Sequence, residues 1–210
     1  KSFGRQAVNS DTRTRILMTA MELFWEKGFG STSIADILSR SQVHSGSLYH
    51  FFPGKQDVLV GVLELYRDGI EEWLLKPNWD GVDDPIERIF ALLNGYRIQL
   101  ITTDCTYGCP IGNIALEIHE PDPQVRELLA ANFTNWSRAV ERCLDAAEDR
   151  LPRDTDRAAL AEYILTVMEG AVMQARTYRE LGYFDRNIAM LREHLGLLES
   201  KAHAEPIAAV

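Results

Sequence analysis

The sequence predicts an all-α fold: a three-helix, helix-turn-helix domain at the N-terminus followed by a longer helical domain. Three observations carry this. Apolar residues recur at three- and four-residue spacing in nearly every segment, and alternating strand patterns are absent. Turn formers punctuate the periodic stretches, as at Gly28, Pro53-Gly54 and the run Lys76–Asp84. No internal repeat or low-complexity tract interrupts the 210 residues, a length sufficient for one large or two small domains.

The first helix is expected from Asp11, as N-cap, to Lys27, with Ile16, Leu17, Ala20, Leu23 and Phe24 as its apolar stripe and Gly28 ending it. Ser33 opens a second helix, with Asp36 three residues on as the acid of a capping box; it ends near Ser41, and Gln42-Val43 make a tight turn. A third short helix, "HSGSLYHFF", puts Leu48 and Phe52 on one face. A fourth starts at Lys55 and runs towards Trp73, and Lys76–Asp84 reads as a loop. Four helical stretches follow, Pro85–Thr102, Pro110–His119, Asp122–Arg150 and Asp154–Tyr178, then an amphipathic one over Phe184–Leu198. The expected domains are 1–58 and 59–199, with 200–210 a flexible tail.

Composition excludes several classes. No apolar run approaches the ~18 residues that span a bilayer, and residues 1–10 lack the apolar core of a secretory signal. Three cysteines, Cys105, Cys109 and Cys143, do not form a disulfide framework, so a cytoplasmic location is expected. The net charge of −9 argues against a polyanionic partner, but its distribution does not. Residues 1–60 hold seven Lys/Arg against five Asp/Glu, and the rest hold 15 against 26. Only the N-terminal part can present a basic face to phosphates.

Two short helices joined by a tight turn, the second polar on its outer face, make a helix-turn-helix, whose second helix enters the DNA major groove. Small residues at its start let the backbone approach phosphates. Ser45 and Ser47 can donate hydrogen bonds there, and Tyr49 and His50 can reach a phosphate or a thymine methyl. Phe51 and Phe52 are expected to anchor the helix to its core, and Lys55 to meet a phosphate. The candidate DNA-binding residues are Thr32, Ser33, His44, Ser45, Gly46, Ser47, Tyr49, His50 and Lys55.

Over Thr14–Leu59 the stretch "RILMTAMELFWEKGFGSTSIADILSRSQVHSGSLYHFFPGKQDVL" resembles the DNA-binding domain of the TetR family of bacterial transcriptional regulators. The resemblance rests on Leu23-Phe24…Lys27-Gly28-Phe29, Thr32-Ser33-Ile34…Asp36-Ile37 and Val43…Gly46-Ser47-Leu48-Tyr49-His50…Phe52…Lys55. It implies a homodimer that binds double-stranded operator DNA and a divergent helical domain for ligand binding and dimerisation. Two departures stand out. Ser41-Gln42 replaces the small residue and glycine common in the family's turn, and Ser45 stands where a basic residue is frequent.

In the second domain, Asp154–Tyr178 is apolar nearly all round, as for a helix buried on more than one side. With Phe184–Leu198 it is expected to build a four-helix dimer interface from Leu160, Ile164, Val172, Ile188, Leu191 and Leu195. Filling a monomer core needs no partner, but a palindromic operator needs two-fold symmetry, so dimerisation is the expectation. The segment "CTYGCPIGNIALEI" resembles the Gly-Cys-x-x-Gly-Asn segment of a TetR subgroup that includes sensors of electrophiles and oxidants. Cys109 precedes Pro110, a favoured first helical residue, and a helix N-terminus favours thiolate. Cys105 would then be its resolving partner; a small buried core residue is the alternative for Cys109.

Candidate pocket residues for a small-molecule inducer are Tyr96, Leu100, Cys109 and Ile111, then Phe133, Trp136, Met168 and Glu169. Such aromatic and Met residues also serve as ordinary core. Glu169 differs, because a carboxylate within an apolar helix needs a partner or a ligand. No cofactor, metal site or catalytic group is expected: glycine-rich phosphate loop, nucleophile elbow and HExxH are all missing. The expectation is a ligand-responsive repressor, with a thiol sensor acting through Cys109 or a helical adaptor that binds only protein as alternatives.

Overall fold

The computed structural model describes residues 12–204. Those residues form helices only: α1 (Thr12–Lys27), α2 (Ile34–Ser41), α3 (Ser45–Phe51), α4 (Lys55–Ile70), α5 (Lys76–Trp79), α6 (Pro85–Thr102), α7 (Pro110–Glu117), α8 (Pro123–Ala146), α9 (Arg157–Tyr178) and α10 (Gly182–Ala204). A π-helical turn, Glu71–Leu75, continues α4 into α5, and a 3-10 turn, Glu148–Arg150, follows α8. The chain divides into two compact units. One runs through Asp68 and includes Tyr107–Asn132; the other holds Gly69–Thr106 and the chain from Phe133 onwards.

In the first unit α1 buries Ile16, Leu17, Ala20, Leu23 and Phe24, the stripe its periodicity marks, with Met21 added. Fully burying one such Leu or Phe is worth about 1.5–3 kcal/mol, so this face dominates the unit's core. Gly28, at φ +87°, terminates α1 and donates to the Phe24 carbonyl at 2.9 Å. The expected cap at Asp11 lies outside the described residues. On α4, Gly61 lets the helix lie close on α1, because a Cβ there would stand 2.7 Å from Leu17 Cδ2. Phe51 departs from expectation. Phe52 is buried, but Phe51 is 39% exposed. At about 100° per residue, Phe52 returns above the buried Leu48, and Phe51 is turned some ~60° away from it. The seventh helix also ends early: Ile118 is extended, so His119 lies beyond α7.

In the second unit the expected loop Lys76–Asp84 begins as helix, through Trp79. Pro77 lacks an N–H and would break an α-helical register. The π turn just ahead absorbs this, with the Lys76 N–H donating to the Glu71 carbonyl. Asn78 and Trp79 fasten the turn, donating to the Leu74 carbonyl at 2.7 Å and the Arg88 carbonyl at 2.9 Å. Asp84 caps α6, accepting from the amides of Ile86 and Glu87 at 2.9 and 3.0 Å. The expected single helix over Asp122–Arg150 stops at Ala146, where Glu148 at φ +45° interrupts the helical path. Asp156, rather than Asp154, caps α9. The last helix begins at Gly182 and continues to Ala204, past the expected end at Leu198, and Arg150 holds Glu199 at 2.8 Å.

Candidate nucleic-acid interface

Ser33 N-caps α2 in a complete capping box. Its Oγ accepts from the Asp36 amide at 3.1 Å, and the Asp36 carboxylate accepts the Ser33 amide at 2.8 Å. The Ser33 hydroxyl and amide, with Lys27 adding charge at 3.4 Å, hold the Asp36 carboxyl down at about 2. Gln42 takes the left-handed turn between α2 and α3, at φ 54° and ψ 37°. A non-glycine residue there is strained, and Ser41 and Val43, both buried on either side, impose it.

The third helix is pinned by Leu48, with Phe52 just beyond its end. Its other side faces outward: His44, Ser45, Gly46, Tyr49 and His50 are exposed and Ser47 is half-buried. Tyr49 is 52% exposed, its ring turned out of the core. His44 precedes the helix as N-cap residue without a side-chain capping bond. At Gly46 an added Cβ would meet no atom within 4 Å, so nothing inside the subunit requires glycine there. The face thus combines small residues, hydroxyls and rings that can donate, on a helix end whose backbone is open to a partner.

Besides Ser33, two of the nine candidates are engaged inside the fold. Thr32 is buried, and its hydroxyl donates to the Gly28 carbonyl at 2.7 Å. The Lys55 ammonium donates to the carbonyls of Phe29 and Thr32 at 2.9 Å each and lies 4.4 Å from the centroid of the Phe29 ring. Other cations of the region are also engaged, Lys27 with Asp36 and Arg40 with Glu26 at 2.6 Å. Exposed Arg13 and Arg15, at the start of α1, form no ion pair among the described residues; Arg13 lies 5.4 Å from the Phe52 ring. Sequence reasoning counted both in the basic balance of residues 1–60 without placing them among the candidate contacts.

The pocket candidates fall in both units. Tyr96, Leu100, Trp136 and Met168 are buried in the second, where Phe133 and Glu169 are half-buried; Cys109 and Ile111 are buried in the first. The Trp136 indole N–H is buried without a hydrogen-bond partner among the described residues. A groove of about 600 Å³ in the second unit is lined by none of these eight; Phe90, Asn94, Arg97, Phe184, Asp185 and Arg192 are among its walls. The cysteines are free thiols. Cys109 takes the N-cap position of α7, as its place before Pro110 suggested, but makes no side-chain capping bond. Burial, with Cys109 and Glu22 beside it, pushes the Tyr66 hydroxyl well up, and burial raises the Cys105 thiol.

The seam chosen for dimerisation lies inside the subunit. Leu160, Ile164, Val172, Leu191 and Leu195 are all buried, and only Ile188 keeps partial exposure. Periodicity locates an apolar stripe but cannot tell which side of an all-round apolar helix faces its own subunit. The apolar residues left outside are Tyr163, Met173 and Tyr178 on α9, and Met190 and Leu197 on α10. Among the described residues no helix is long and apolar enough to cross a membrane, and no three His, Cys, Asp or Glu side chains gather as a metal site.

This head, with its capped helix, tight turn and outward-facing second helix, defines a helix-turn-helix protein. Comparison with known proteins gives its family. The family model for bacterial regulatory proteins of the tetR family matches residues 16–62, and that for the tetracyclin repressor-like C-terminal domain matches residues 85–191. An uncharacterised HTH-type transcriptional regulator of Mycobacterium tuberculosis is 31% identical over 188 residues, covering 87% of this chain and 93% of its own. The HTH-type transcriptional repressor DhaR of Mycobacterium sp. strain GP1 is 23% identical over 185 residues, 87% of this chain and 91% of its own. Among solved structures, the regulatory protein TetR from Rhodobacter sphaeroides superposes with a TM-score of 0.79 at 24% identity, covering 88% of this chain and 99% of that one. The chain belongs to the TetR family of bacterial transcriptional regulators.

Proposed function

We propose that this regulator is a repressor that binds a palindromic operator as a homodimer and leaves it when a small molecule occupies the second unit. The observation that carries the DNA-binding half is the outward face of α3. Gly46, free of any packing demand, stands there between exposed Ser45 and the exposed rings of Tyr49 and His50. A helix with that surface suits a major groove, where hydroxyls and imidazole meet base edges and phosphates. The subunits meet through the outer faces of α9 and α10, where Met173, Met190 and Leu197 leave apolar surface in water. Two-fold symmetry then sets the reading heads about 34–36 Å apart, one helical turn of DNA. The buried Trp136 N–H supports an inducer that carries a hydrogen-bond acceptor, since an unpaired buried donor costs about 1–3 kcal/mol. Selection of bound duplex from a random pool tests the reading. Enrichment of an inverted repeat supports it, and retention of DNA without sequence preference refutes it.

A second reading is favoured by the place of Cys109, which belongs to the same compact unit as α1–α3. In that reading the Gly108-Cys109-Pro110-Ile111-Gly112-Asn113 segment marks the thiol-sensing subgroup, and modification of the thiol releases DNA. Repeating the selection with alkylated protein separates the two. Loss of binding in the wild type, retained in Cys109→Ser, supports the sensor; equal binding by both excludes it.

A further inference from the structure

The exposed carboxylate of Glu117, at the end of α7, accepts the Gly30 amide at 2.6 Å and the Phe29 amide at 2.9 Å, across 87 and 88 residues of sequence. Both its oxygens are thereby committed to backbone donors, although a surface carboxylate has water freely available. Gly30 is matched to it: a Cβ at that position would sit 2.8 Å from Glu117 Oε1 and near no other residue. On the carbonyl side of the same loop stands the Lys55 ammonium, bonded to Phe29 and Thr32. The α1–α2 loop therefore has amides on an anion and carbonyls on a cation, both charge-assisted. It leads directly into Ser33, the cap of α2, so the pose of the loop is the pose of α2 and, through the Gln42 turn, of α3. The other end of α7 is fastened to α1 as well: the Trp25 indole donates to the Gly108 carbonyl at 2.7 Å and stands 4.8 Å from the Tyr107 ring.

We propose that Glu117 is a positioning residue for DNA reading, acting through the Phe29 and Gly30 amides to hold α2 and α3 at one angle to α7. The inference rests on the DNA-binding reading above. A head held at one angle meets a half-site already oriented, whereas a loosened head must be ordered on binding. Half-site sequence is read by α3 side chains and is untouched by Glu117; what Glu117 supplies is a loop already ordered when the half-site is met.

The test is a double-mutant cycle of Glu117→Ala and Gly30→Ala, with selection from random duplex and affinity for the selected operator. Gly30→Ala displaces the carboxylate without altering α7, so it provides the readout if Glu117→Ala fails to fold. Each single variant is expected to bind about tenfold more weakly. Each should still select the wild-type half-site sequence, with faster amide exchange at Phe29 and Gly30. The double variant should be no worse than either single one, because the Gly30 methyl has only Glu117 to displace. Wild-type affinity and amide exchange in the single variants, or additive losses in the double one, would overturn the proposal. A wild-type chain that selected no sequence would overturn the DNA-binding reading and this inference together.

Discussion

Lys55 separates two accounts of one side chain. The sequence pattern places its ammonium on a DNA phosphate, but the structure places it on two carbonyls and a ring of its own head. Replacing Lys55 with methionine keeps the aliphatic stem and removes the charge. A hydrogen bond from a charged donor contributes about 1.5–3 kcal/mol, and half-exposure lowers each of the two 2.9 Å bonds towards roughly 1 kcal/mol. The ammonium 4.4 Å from the Phe29 ring adds about 0.5 kcal/mol. The variant should therefore lose about 2–3 kcal/mol, a fall of roughly 4–12 °C in melting temperature for a domain of this size. Thermal unfolding by circular dichroism measures the first effect, and operator affinity between about 50 and 200 mM salt measures the alternative. A lost phosphate contact reduces the slope of log affinity against log salt by about 0.9, so about 1.8 for the two Lys55 side chains of a homodimer; a lost loop tie leaves the slope unchanged. A variant that melted like the wild type while its salt slope fell by that amount would refute the structural account of Lys55.

Gln42→Gly should raise stability by about 1 kcal/mol in urea unfolding, since glycine takes the left-handed conformation without strain. Gly46→Ala should fold with an unlowered melting temperature, slightly raised because alanine suits a helix better, and yet bind operator several-fold more weakly in a mobility-shift titration, because the methyl intrudes only on the bound partner. The Asp36 carboxyl, held at about 2 in the folded head against 3.8 unfolded, stabilises fully above about pH 4, and that contribution is lost as pH falls through about 2. Urea midpoints of the wild type and Asp36→Asn should accordingly converge between pH 5 and pH 2. Leu197→Asp, at a position 69% exposed on α10, should leave helix content intact and sediment as a monomer that no longer binds an inverted repeat cooperatively.

Short-range physics made much of the head legible in the sequence. The end of α1 at Gly28, the Ser33–Asp36 capping box and the α6 span Pro85–Thr102 all depend on neighbours within about one helical turn, where residue type decides the outcome. The run Lys76–Asp84, which reads as a loop but begins as helix, departs for the same reason in reverse. Pro77 signals a break locally, and only the π turn ahead of it, held by Asn78 and Trp79, lets the helix continue. Phe51 and Phe52 show how little separates core from surface: one step of rotation on a seven-residue helix exposes the first ring and buries the second.

Contacts that span the chain left no local mark. Nothing around Glu117 distinguishes it from neighbouring surface acids, and its partners lie 87 and 88 residues away. Gly30 was the one available trace, a glycine that no left-handed turn requires, explained only by the carboxylate that fills the space beside it. Thr32 and Lys55 follow the same logic. Their positions beside α2 and α3 suit DNA contact, but polar groups at the ends of packed helices first satisfy the backbone carbonyls those ends leave open. The polar residues of this head divide by that demand: Thr32 and Lys55 meet it, whereas Ser45, Tyr49 and His50 are left facing outward, where the proposed DNA contact needs them.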